Sequence, residues 1–154
     1  TNDVIEEAFA LFPKEVNDKT ISDIKRKFKE RIKNLQKISD EYFIHINKFS
    51  VIKGTDKDDL FEIERLRNGI TEIRAYRIIK EKKGELFHQK KYTKNLTKEI
   101  WIYGLDDEDQ FHVFGEKNKA IKVRIIGGQN NDSYNVENGN KITIYDYKSK
   151  KKHF

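Results

Sequence analysis

Three short acidic turns carry the residues of this chain best suited to chemistry. Gly54, Asp59, Phe61 and Ile63 recur at the same spacing as Gly104, Asp109, Phe111 and Val113, and again as Gly127, Asp132, Tyr134 and Val136. Each turn opens on glycine and closes five residues later on aspartate, then runs into an aromatic and a β-branched residue. Hard cations take six to eight oxygens from carboxylates and carbonyls, so two stacked turns could hold calcium. The candidate ligands are Asp106, Asp107, Asp109 and Asp132, with Glu108 beside them and the carbonyls near Gly104 and Gly127. Asp56, Asp58 and Asp59 form a weaker set, because the lysine-rich segment 80–84 is expected to face that turn. A reading without a ligand stands beside this one. Glycine permits a sharp corner, often at positive φ, and a short carboxylate accepts backbone N–H groups as an Asx turn.

Elsewhere the chain offers little for catalysis. His45, His88, His112 and His153 are scattered and read as edge or surface residues. No Ser-His-Asp order, glycine-rich phosphate loop or pair of carboxylates in an apolar setting can be assembled. With no cysteine, disulfides and thiolate metal sites are excluded. Trp101 and Tyr103 alternate with Ile100 and Ile102, which puts two aromatic rings on an outer face. That patch is either covered by a helix or open to a protein or glycan partner.

The elements that must position these residues fall into two regions. A short helix is expected over 3–16, with Val4, Ile5, Phe9 and Phe12 on one side and Pro13 disturbing its last turn. Thr20 and Asp23 suit the start of a second helix. Ile21, Ile24, Phe28, Ile32, Leu35, Ile38, Tyr42, Ile46 and Phe49 then follow in steps of three and four, the stripe of a long amphipathic helix. That stripe is expected to pack on the β region, or to form a coiled-coil seam with an outside partner. From residue 49 the pattern is strand and turn, in two alternating series. One comprises 49–54, 70–79, 99–104, 121–127 and 141–147; the other comprises 60–67, 85–92, 110–114 and 133–137.

Regular spacing of the two series predicts an α+β fold in which the helices pack on a short two-sheet β-solenoid, or β-roll. In it Ile100 and Ile102 stack near Val123 and Ile125, and Phe111 and Val113 near Tyr134 and Val136. The alternative is an antiparallel β-sandwich, since Asn68-Gly69 and Asn138-Gly139 are hairpin signals. The regions are 1–48 (helical), 49–147 (β) and 148–154 (a basic tail), within one structural domain.

The 154 residues are 38% charged, 36% hydrophobic and 12% aromatic, with a net charge of +6. That composition suits one domain with a thin core, and its aromatic content argues against disorder. Basic residues are spread over the helix, the strands and the tail without an aromatic-interleaved patch, which argues against nucleic acid. Anionic-polymer or membrane-surface binding through the basic helix and tail remains a third class of reading. No apolar run approaches the length of a membrane helix. Methionine is absent, even at the start, so the chain reads as a piece of a larger polypeptide.

Residues 127–135 resemble the nonapeptide of calcium-binding β-roll repeats, Gly-Gly-x-Gly-x-Asp-x-aliphatic-x. Leu105, Asp107 and Asn130 stand where that family has glycine, and the copies here lie 50 and 23 residues apart. More broadly, the runs 54–59, 99–107, 121–128 and 144–147 resemble a segment of long bacterial envelope proteins. That family joins a calcineurin-like metallophosphoesterase domain to an outer-membrane β-barrel. The resemblance implies a connecting region carried in the bacterial envelope, with the other domains of the parent polypeptide as partners. The phosphoesterase's clustered Asp, His and Asn ligands have no counterpart here. The expectation is therefore a non-catalytic structural or interaction module, with a calcium-dependent binding or adhesion module as the alternative and calcium as the one candidate cofactor.

Overall fold

The computed structural model describes residues 2–13, 15, 19–117 and 120–147. The basic tail and His153 lie outside them. The chain divides into two compact units, Thr1–His45 and Ile46–Phe154.

The first unit holds α1 (Asn2–Ala10) and most of α2 (Lys19–Asn47). Glu6 reaches across from α1 to pair with both Lys25 and Lys29 of α2, and Ile5 is buried. The apolar stripe of α2 is not buried. None of its residues is buried, and Ile24, Phe28, Leu35, Ile38 and Tyr42 are 48–64% exposed. No helix among the described residues is long and apolar enough to cross a membrane.

The second unit is built from nine strands. They are β1 (Phe49–Lys53), β2 (Asp59–Leu66), β3 (Ile70–Ile79), β4 (Lys82–Thr93), β5 (Glu99–Leu105), β6 (Gln110–Gly115), β7 (Lys122–Gly128), β8 (Ser133–Val136) and β9 (Ile142–Tyr145). One sheet has the order β1-β5-β7-β9 and is wholly parallel; the other has the order β4-β3-β2-β6-β8 and is mixed. Neither sheet closes. Period-two alternation sends every second residue inward, and both sheets feed one apolar cluster that includes Ile52, Phe61, Ile63, Ile73, Ile100, Ile102, Phe111, Val113, Val123 and Ile125.

This is a sheet-rich α+β body and not the expected solenoid; the all-parallel sheet equally excludes an antiparallel sandwich. The solenoid reading assigned 70–79 to the same sheet as 99–104. In the structure β3 lies antiparallel against β2, with Ile63 opposite Ile73, and β4 lies antiparallel against β3. The reason is local. Asn68 and Gly69 both have positive φ, as do Lys80 and Glu81, so each pair makes a tight reversal. A two-residue reversal can only return the chain beside the strand it left, whereas a parallel crossover needs about a dozen residues or more. The β2–β3–β4 meander therefore interrupts the regular alternation between sheets.

Candidate functional site

The three corners lie side by side at one end of the strands. The Gly54 N–H donates to the Tyr103 carbonyl at 2.7 Å and the Gln129 N–H to the Leu105 carbonyl at 3.2 Å; Leu105 sits opposite Gly128. The corner 54–59 was expected beside 80–84. It lies beside 104–109 on one side, and on the other the end of β3 reaches it ahead of 80–84, the Ile78 N–H donating to the Asp58 carbonyl at 2.9 Å.

The repeated aspartates link the corners in a chain. Asp109 Oδ1 accepts the Asp59 N–H at 2.9 Å, and Asp132 Oδ1 accepts the Asp109 N–H at 2.9 Å. Asp59, at the head of this chain, accepts from the Thr55 N–H at 2.7 Å and pairs with Arg77 at 3.1 Å. Arg77, and not the lysines of 80–84, thus neutralises the first corner. Lys83 pairs with Glu62 at 2.6 Å.

The glycines have a steric purpose. A Cβ at Gly104 would run into Asp109 Oδ2 and the Gly127 carbonyl oxygen; one at Gly127 would meet Asp132 Oδ2 and the Tyr134 hydroxyl. Each aspartate therefore folds back over the glycine of its own copy. Positive φ, expected at these glycines, is found one residue on, at Leu105 and Gly128, and three on, at Asp107 and Asn130. The aromatic position stacks next: Phe61 on Phe111 at 5.0 Å and 6°, Phe111 on Tyr134 at 5.3 Å and 8°. Offset stacks of this kind add about 0.5–1.5 kcal/mol each beyond area burial.

The electrostatics of the corners are unusual. Asp59 and Asp109 are essentially inaccessible to solvent, and Asp109 Oδ2, Asp132 Oδ2 and the Tyr134 hydroxyl make no hydrogen bond that meets normal geometry. Burial, reinforced by the charges of Asp132, Asp59 and Asp58, pushes the Asp109 carboxyl up to about 8, although the Asp59 N–H works against it. Burial and the charge of Asp146 also raise Asp132, and burial beside Asp132 and Asp146 raises the Tyr134 hydroxyl.

The other candidate ligands are more dispersed. Asp58 accepts the Glu108 N–H at 3.1 Å, and Asp107 lies 3.8 Å from Lys57. Asp56, Asp106 and Glu108 are exposed. Among the described residues no group of three or more acidic or histidine side chains comes together as a metal cluster. His112 pairs with Glu137 at 2.9 Å on the surface. Burial, with Lys90 nearby, holds the His88 imidazole below its usual range.

No family model, curated protein or solved structure matches this chain.

Trp101 and Tyr103 sit half-buried on the outer face of the parallel sheet. The Trp101 indole N–H donates to Glu99 at 2.7 Å, its ring meets Phe49 edge-on at 5.3 Å, and Tyr103 lies 6.1 Å away. Arg124 lies over Trp101 at 5.6 Å and over Tyr145 at 5.7 Å while pairing with Glu99. Sequence reasoning passed over Arg65. Its signal was present: the inward positions of β2 read Asp59, Phe61, Ile63 and Arg65, a cation at the end of an apolar face.

Proposed function

We propose that this chain is a non-catalytic structural and interaction module, and that its acidic corners serve to lock neighbouring strands in register. One observation carries the reading: in two successive corners the repeated aspartate spends an oxygen on the backbone N–H of the preceding corner's aspartate. A carboxylate committed to a backbone donor fixes register more specifically than apolar contact does, because a one-residue slip would bury an unpaired N–H at a cost of about 1–3 kcal/mol. The aromatic stack and the carboxylate-filled glycine pockets support the same reading. The half-buried Trp101 and Tyr103 and the open stripe of α2 supply surfaces for the interaction role. The sequence resemblance supports a place in a larger bacterial envelope protein.

Calcium is the second reading, favoured by the buried Oδ2 atoms of Asp109 and Asp132 in adjacent corners, neither of which makes a hydrogen bond of normal geometry. Thermal unfolding at pH 7.5 in 5 mM calcium and in chelator separates the two. A register lock predicts melting temperatures that agree to within about 1 °C. A cation bound at a hundred times its dissociation constant would add about 2.7 kcal/mol, a shift of roughly 10 °C for a domain of this size. A rise of that order, lost in D109N/D132N, would refute the metal-free reading.

A further inference from the structure

We propose that Arg65 is the anchor of an anion-binding site, taking a ligand that carries a carboxylate or phosphate group. Arg65 ends the inward row of β2, the opposite end from Asp59, roughly 20 Å away at 3.3 Å per residue. It is 2% exposed. Its Nη1 donates to Thr71 Oγ1 at 2.8 Å, while Nε and Nη2 are buried and find no hydrogen-bond partner among the described residues. Those two nitrogens form one edge of the guanidinium, and their N–H groups point the same way. That edge is the fork that matches two oxygens of a carboxylate or phosphate.

The surroundings fit an anion. Arg65 lines an open cleft of about 900 Å³ together with Arg67, Asn68 and Lys117. The two acids on the cleft wall are already engaged, Glu64 with Arg74 at 2.8 Å and Glu116 with Arg67 at 3.6 Å. Gly115, at φ +97, brings its backbone against that of Arg65 and leaves no room for a Cβ. Asn138 and Asn140 donate to the carbonyls of Glu116 and Lys117 and so hold the far wall. An unpaired buried cation is costly to keep. Burial alone draws this guanidinium down to about 10. A carboxylate or phosphate that met this edge from the cleft would replace the solvation the guanidinium has lost.

The test uses the whole chain and measures melting temperature against sodium phosphate, sodium acetate and sodium chloride at matched ionic strength. Phosphate or acetate should give a saturable rise of about 4 °C or more over chloride, and which of the two acts identifies the ligand group. Arg65→Met should abolish the rise. Arg65→Lys, which keeps the charge without the fork, should weaken the apparent affinity at least tenfold and serves if the Met variant does not fold. A wild-type chain indifferent to both anions would overturn the proposal. So would a rise that persists undiminished in Arg65→Met or Arg65→Lys.

Discussion

Replacing Asp109 by Asn should remove a pH dependence that the wild-type corner cannot avoid. The Asp109 carboxyl ordinarily titrates at 3.8 and is held at about 8 in the fold. Between those values the native state binds more protons than the unfolded chain, so stability falls as pH rises through that window and levels off above about 8. At 1.36 kcal/mol per decade, four decades set an upper bound of roughly 6 kcal/mol. The Arg77–Asp59 pair offsets part of the surrounding negative charge, and structural relaxation reduces such penalties further. An actual loss of about 2–3 kcal/mol between pH 5 and pH 9, or roughly 10 °C in melting temperature, follows. Asn is the neutral isostere of the protonated acid, and its carbonyl oxygen can still accept the Asp59 N–H. The variant should match wild type at pH 5 and exceed it at pH 9. His88 acts in the opposite sense, since an imidazole held below its usual range favours folding as pH rises through about 6.5. It is common to both proteins and drops out of the difference. Asp132, also raised, leaves the variant a residual slope. Melting curves at half-unit pH steps, read by near-ultraviolet circular dichroism, provide the assay. Parallel curves for the two proteins would refute the reasoning.

Gly104→Ala should destabilise the β unit by about 3 kcal/mol or more, since the new methyl group would displace both a buried carboxylate and the Gly127 carbonyl; chemical denaturation would measure this, and a loss under 1 kcal/mol would contradict the packing described. On α2, replacing Leu35 and Ile38 together by Gln should leave melting within about 2 °C of wild type, because both are more than half exposed. A fall above 5 °C would show that the stripe is buried within the fold.

The sequence made some of this legible and left the rest hidden for identifiable reasons. Alternation correctly sent Ile100, Ile102, Val123 and Ile125 inward, because a strand with one buried face has only two choices per residue. Alternation says nothing about which strand is the neighbour, and there the solenoid reading failed. The deciding signal is the two-residue spacing at Asn68-Gly69. A local steric constraint outranks a distant periodicity, since no tertiary contact can make a two-residue loop cross over. The long stripe of α2 was equally plain, but an amphipathic pattern states only that a face is apolar and does not supply its cover.

The corner repeat shows where sequence and chemistry part company. Gly, Asp, aromatic and β-branched residues at fixed spacing resemble a metal motif when read as a list of donors. In three dimensions the spacing solves a packing problem. Glycine clears the volume that the carboxylate fills, the carboxylate takes the N–H of the preceding corner's aspartate, and the aromatic stacks on its counterpart two residues later. Arg65 shows the converse. It belongs to no repeat and no motif, yet it is the buried cation whose free edge lacks a partner. A side chain whose type conflicts with the face its position assigns it is a stronger pointer to a ligand than a cluster whose members satisfy one another, because only the former leaves an energetic cost that binding can relieve.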